Sequence, residues 1–239
     1  KRGISWEGED GVGRTWTYAH REAEVNRLAN LLRELGVGPG DAVGVLMPML
    51  PETAAALLAV AKVGALFVPL FSGFGAEACE VRLKDADTKV LLTTDGFMRR
   101  GQPVLLKPVA DDIAQRVPTI QHIVMLRRLG APTSWQAPRD IDWREGTKRQ
   151  SEWAHAADTG AEDPWMVIYT SGTTGKPKGS VHVHGGFLVK IAQEVLHQTD
   201  LRENDILWWF TDMGWIMGPW QAAGCLARAG PLFLSEGSP

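Results

Sequence analysis

The amino-acid sequence predicts an α/β fold with mainly parallel strands. Three observations carry that expectation. Short, wholly apolar runs recur along the chain, segments with helical spacing lie between them, and one apolar run leads straight into a glycine-rich loop. Val25, Leu28, Ala29 and Leu32 recur at helix spacing, and Gly36 follows as a C-terminal stop. AVGVLMP (42–48) reads as a strand buried on both faces. Pro51 and Glu52 open the next helix, because proline lacks an N–H that the first turn leaves unused and an acid favours the positive dipole end. LFVPL (66–70), KVLLTT (89–94) and HIVML (122–126) read as further strands, with helices over 76–86 and Lys107–Arg116. Residues 130–163 are rich in Pro, Trp, Asp and Arg and show little periodicity apart from a helix near 142–154. WMVIYT (165–170) resumes the strand pattern, followed by a helix over 185–197, a strand over 206–210, a helix over 218–228 and a strand over 231–234. The expected organisation is a first α/β subdomain over 1–130, a connecting segment over 131–163, and the start of a second α/β subdomain over 164–239.

Composition excludes several classes. A chain of 239 residues with 44% hydrophobic and 22% charged residues can bury a real core, so it is neither disordered nor a disulfide-held miniprotein. Net charge is 25 minus 28, or -3, which gives no basic excess for nucleic acid. Two cysteines, Cys79 and Cys225, cannot make a disulfide framework, so a reducing cytoplasm is the expected location. The stretch Ala54–Phe71 approaches membrane-spanning length, but Lys62, Gly64 and Pro69 interrupt it, and a buried helix, turn and strand account for it better. Both ends look cut, so a piece of a longer protein is expected.

The segment Tyr169–Gly179 carries the chemistry. It packs Gly172, Gly175 and Gly179 with Ser171, Thr173, Thr174, Lys176 and Lys178. Residues without Cβ let backbone N–H groups approach a polyanion, hydroxyls donate to phosphate oxygens, and lysines supply point charges. The loop follows a strand, and open α/β sheets place ligands at that end. A P-loop is a poor match: two residues, not four, separate Gly172 from Gly175, and Pro177 stands where a magnesium-binding hydroxyl would be. A flexible linker is the bland alternative, but linkers rarely follow an apolar strand directly or hold Lys-Pro-Lys between glycines.

TSGTTGKPKG (170–179) resembles the signature loop of the acyl-adenylate-forming superfamily: acyl-CoA synthetases, luciferases and peptide-synthetase adenylation domains. Residues 14–41 resemble that superfamily's first helix and turn, LAVAKVGALFVPL (58–70) its second motif, and AEDP (161–164) the lead into its signature strand. HVHGGFL (182–188) and TDMGWIMG (211–218) narrow the likeness to the acetyl- and acetoacetyl-CoA synthetase branch. The resemblance implies the N-terminal part of the adenylate-forming fold, without its C-terminal domain. It implies an AMP-forming acid–thiol ligase that uses ATP, Mg2+ and coenzyme A on a small carboxylic acid, short-chain by preference. Thr170, Ser171, Gly172, Thr173, Thr174, Gly175 and Lys178 would embrace the β- and γ-phosphates, while Lys176 occupies a variable position. Trp215, with Ile216 and Met217, would wall the acyl pocket; core packing is the alternative for the tryptophan. Met217 resembles the acetoacetyl type more than the acetyl type. Arg99 and Arg100 resemble the basic run at the CoA 3′-phosphate, with a solvated surface pair as the alternative.

His182 and His184 alternate like zinc ligands, but no third ligand stands at suggestive spacing, so packing or loop ordering is expected and no metal site is assigned. The adenosine motifs and the magnesium-binding glutamate of the family have no counterpart in the sequence, so this chain by itself is expected to lack adenylation activity. Two rival functions remain: an adenylation domain or luciferase-like enzyme that passes the acyl group to another acceptor, and a non-catalytic nucleotide- or acyl-binding module. No membrane or nucleic-acid partner is expected, and the sequence leaves the oligomeric state open.

Overall fold

The computed structural model of the chain describes residues 1–170, 176–202 and 204–237. It opens with β1 (Arg2–Glu7) and β2 (Gly13–Thr17), an antiparallel pair. Thr17 caps α1 (Tyr18–Glu34): its hydroxyl accepts the His20 amide, one of the donors left over at a helix start. Then β3 (Ala42–Leu46), α2 (Pro51–Lys62), β4 (Leu66–Pro69), α3 (Ala76–Asp85) and β5 (Thr88–Thr94) alternate. A hairpin, β6 (Gly96–Arg99) and β7 (Gln102–Leu105), precedes α4 (Lys107–Arg116), β8 (His122–Leu126), β9 (Asp140–Asp142) and α5 (Trp143–Lys148). The last elements are β10 (Pro164–Thr170), β11 (Lys178–Val183), α6 (His184–His197), α7 (Met217–Ala227) and β12 (Leu232–Ser235).

One seven-stranded sheet, ordered β11-β10-β4-β3-β5-β8-β9, is the frame. Its neighbours run parallel from β10 to β9, and β11 turns back antiparallel at one edge. Apolar side chains leave both faces of the strands, as strands covered on both sides require. On one face Val43, Val45, Val90 and Leu92 join Leu28, Leu32 and Leu57 of α1 and α2. On the other, Leu46, Val68 and Leu91 join Cys79, Leu83 and Ile113 of α3 and α4. The close approach of α3 is set at Gly44, where a Cβ would stand 2.6 Å from Leu83 Cδ2. Among the described residues no helix is long and apolar enough to cross a membrane; 51–70 divides into α2, a turn at Gly64 with φ +74°, and β4.

The large, mainly parallel sheet agrees with the expected fold class, but the expected division at 131–163 is not a division of the sheet. β10 inserts beside β4, with Met166 opposite Phe67, and β12 pairs with β1 to form a small sheet ordered β12-β1-β2. Met166 and Ile168 are buried, and the free edge of β4 is the place that can bury them and satisfy their backbone. Within 131–163 the chain still forms β9 and a short α5, which ends at Lys148 rather than near 154. The strand expected over 206–210 is reduced to a bridge between Leu207 and Leu232. β1, β2, β6, β7, β9 and β11 are additions that apolar patterning did not signal, because each is short or half exposed.

Candidate active site

The C-terminal ends of the parallel strands bring the informative segments together. β10 ends at Thr170, and β11 begins at Lys178, directly opposite it in the antiparallel register. The signature loop is therefore the connection of a hairpin on the sheet edge. Ser171, Gly172, Thr173, Thr174 and Gly175 lie outside the described residues. Its two ends are held. Tyr169 donates its hydroxyl to Asp85 Oδ2 at 2.7 Å, tying the strand to the end of α3; burial, and then the Asp85 carboxylate, push the phenol's pKa up. Gly179 leaves no room for a side chain, since a Cβ would stand 2.8 Å from Val167 Cγ1. Lys176 and Pro177 run along Glu80, Val81, Lys84 and Asp85, bordering a surface cleft of about 640 Å³.

The turn after β4 forms the adjoining wall. Phe71 packs tilted on Trp215 with ring centroids 5.7 Å apart, and edge-on to Phe74 at 5.4 Å. Ser72 donates through Oγ to Asp212 Oδ2 at 2.5 Å, and its amide lies 3.3 Å from both carboxylate oxygens. The Gly214 amide donates to Asp212 Oδ1 at 2.8 Å. Asp212 is 1% exposed, and burial pushes its carboxyl up to about 6, against the pull of Ser72, the Gly214 amide and Arg99. Sequence reading did not single out Phe71, Ser72, Asp212 or Gly214. The one available signal was the position of Asp212 inside the TDMGW run.

Trp215 is half exposed and rests on Phe71, while Ile216 and Met217 face the other way. They line a cleft of about 680 Å³ whose opposite wall is His182, Phe187 and Ile191 from β11 and α6, with Trp209 and Trp220 beside them. The three expected pocket residues thus divide between two neighbouring surfaces. His182 sits edge-on to Phe187 at 5.3 Å, and burial lowers its pKa. His184 begins α6 and packs 6.1 Å from Trp165; burial lowers its pKa too, with Asp163 opposing. Both histidines thus pack against aromatic rings.

Arg99 and Arg100 sit at the tip of the β6–β7 hairpin. Arg99 pairs with Gln102, so Arg100 (φ +53°) and Gly101 (φ +72°) form a two-residue turn with both φ values positive, which suits the strand twist. Arg99 Cζ lies 5.5 Å from the Phe71 ring centroid, and a Cβ on Gly73 would come within 2.8 Å of Arg99 Nη1. Buried Asp95 holds the hairpin base by accepting amides from Gly96, Arg128, Leu129 and Ala131. Arg99, Phe71 and Trp215 therefore form one continuous surface at the sheet's C-terminal edge.

A family model described as AMP-binding enzyme matches residues 4–239. The chain belongs to the AMP-binding enzyme family. Among curated relatives of this family, the acetyl-coenzyme A synthetase of Deinococcus radiodurans is 42% identical over 100% of this chain and 37% of its own length. The acetyl-coenzyme A synthetases of Streptomyces coelicolor and Escherichia coli are 42% and 38% identical, each over 99% of the chain and 37% of the relative. Among solved structures, acetoacetyl-CoA synthetase from Streptomyces lividans superposes with a TM-score of 0.92 at 29% identity, covering 100% of this chain and 36% of that one. The chain thus spans little more than a third of these AMP-binding enzymes.

Proposed function

We propose that the protein containing this chain is an AMP-forming acyl-CoA synthetase. A carboxylate oxygen attacks the α-phosphorus of ATP, pyrophosphate leaves, and the CoA thiol then attacks the acyl carbonyl as AMP departs. The observation that supports the reading is the glycine- and hydroxyl-rich connection from Thr170 to Lys178, which joins a strand of the large, mainly parallel sheet to its antiparallel edge strand. When bound, Mg-ATP supplies the electrophilic phosphorus and a partly neutralised leaving group.

The residues present fit a polyanion. Thr170 and Lys178 are register partners at the two ends of the loop, and Gly179 follows where a side chain would meet Val167. In this proposal Lys178 sets a fixed positive charge beside the β- and γ-phosphates, and Thr170, Ser171, Thr173 and Thr174 donate hydroxyls, with Gly172 and Gly175 offering backbone amides. Mg2+ enters this proposal as the companion of the triphosphate. In this proposal Arg99 and Arg100, at the tip of the β6–β7 hairpin, pair with the CoA 3′-phosphate. The acyl group is assigned to the cleft that Ile216 and Met217 border, with Trp215 on the neighbouring Phe71 surface, and the bulk of these side chains favours a short acid.

The test is a panel of acids of increasing length given to the intact gene product, with AMP and pyrophosphate release measured with and without CoA. Expected is acid-dependent pyrophosphate release that rises to full turnover when CoA is added. Turnover independent of CoA would point to another acyl acceptor, and no AMP from any acid would point to a binding module. This chain alone is expected to catalyse no carboxylate-dependent pyrophosphate–ATP exchange.

A further inference from the structure

Ser72 and Asp212 are 140 residues apart and each 1% exposed, and Ser72 donates hydrogen bonds to the Asp212 carboxylate from its hydroxyl and its backbone amide; the same carboxylate also accepts the Gly214 amide. No side chain could replace this contact by packing. A Cβ at Gly214 would stand 2.2 Å from the Phe71 amide nitrogen, so the two backbones already touch. An apolar residue at 212 would leave the buried amide and hydroxyl of Ser72 and the half-buried Gly214 amide without this acceptor, which costs more than the bonds themselves return. Burying a carboxylate is itself unfavourable, and such groups are best explained by the arrangement they impose. Here that arrangement is specific. Phe71, next to Ser72, contacts both Trp215 and Arg99.

We infer that Asp212 is a positioning residue that locks the Trp215–Met217 segment to the Phe71–Ser72 turn, so that the carboxylic-acid site and the Arg99 side of the CoA site keep one shared geometry. The inference rests on the ligase reading above for its substrates, but not for the latch itself. It makes the two substrate sites dependent on a residue that touches neither substrate.

Asp212→Ala, Asp212→Asn and Ser72→Ala in the intact gene product test it. For Asp212→Ala the KM values for propionate and for CoA both rise on the order of tenfold, as loss of hydrogen bonds to a charged acceptor predicts, while KM for ATP stays within about twofold. Asp212→Asn recovers part of the loss, because its Oδ1 can still take one amide. A merely structural role would lower the active fraction, and so kcat, leaving every KM in place; that outcome overturns the inference. So does a rise in KM for propionate alone. If Asp212→Ala does not fold, Ser72→Ala removes only the hydroxyl and carries the same test with a smaller shift. Hydrogen exchange separates the latch from the ligase reading. Peptides spanning 70–75 and 210–218 exchange faster in the variants than in the parent, while the strands of the large sheet do not. Uniform acceleration, or none, sinks the latch whether or not the protein makes AMP, whereas an inactive parent with selective acceleration sinks only the ligase reading.

Discussion

Thr170 and Lys178 face each other across the antiparallel pair β10–β11, with the signature loop closing between them. A lysine at the start of a strand has its backbone fixed by the ladder, so its side chain starts from a fixed point at the end of the loop. Lys176 lies before the strand, along α3. Lys178→Ala is expected to slow pyrophosphate release by roughly ten- to a thousandfold, the range for losing one charge-stabilising group. Lys176→Ala should cost far less. Single-turnover rates decide the matter, and equal losses at both positions would remove the special role of Lys178.

Asp212 gives a pH signature of stability. Its folded pKa is raised, to about 6 against 3.8, so between those values the folded state holds a proton that the unfolded state has released. The neutral form's contribution is whole below about pH 4 and declines as pH rises through about 6, by on the order of 2–3 kcal/mol. Asp212→Asn carries no proton to lose. The thermal midpoint of Asp212→Asn relative to the parent should therefore climb between pH 4 and 6 and level off above. A flat difference across that window would show that the carboxyl is not held neutral.

Gly214 has no space for a methyl group. Gly214→Ala forces the 212–217 segment off the Phe71 turn, at a cost of about 1–3 kcal/mol typical of overpacking. Its thermal midpoint should fall, and the Trp215 surface should lose its contact with Phe71. Full stability in Gly214→Ala would mean the two backbones can separate freely.

Arg100 holds φ +53° in a hairpin turn where glycine or asparagine would fit without strain. Strain retained under a charged side chain is consistent with a binding role. Arg100→Gly should raise stability by several tenths to about 1 kcal/mol while raising KM for CoA. Denaturant midpoints and CoA kinetics check the two halves, and unchanged CoA kinetics would return Arg100 to a plain surface role.

Met217 and Ile216 border the cleft formed with β11 and α6. Met217→Ala removes bulk from one wall, and one methylene in an apolar pocket is worth about 1–3 kcal/mol. The ratio of kcat/KM for pentanoate over propionate should rise by about tenfold or more. An unchanged ratio would place the acyl group elsewhere, with Trp215 on the Phe71 side as the next wall to alter.

Local patterning by itself determined most of the helices and the inner strands. Apolar spacing placed β3, β5, β8 and α4 within a residue or two, because period and turn chemistry act over a few neighbours. The same local logic marked Thr170–Gly179 as an anion loop, since glycines, hydroxyls and lysines state their chemistry in their order. Tertiary structure alone decided which distant segments meet. It put β10 beside β4 after a long connection, joined β12 to β1, turned the signature loop into a hairpin connection, and set Ser72 against Asp212. Those pairings depend on which buried edges and unsatisfied amides remain once the core has formed, and no short window of sequence contains that competition.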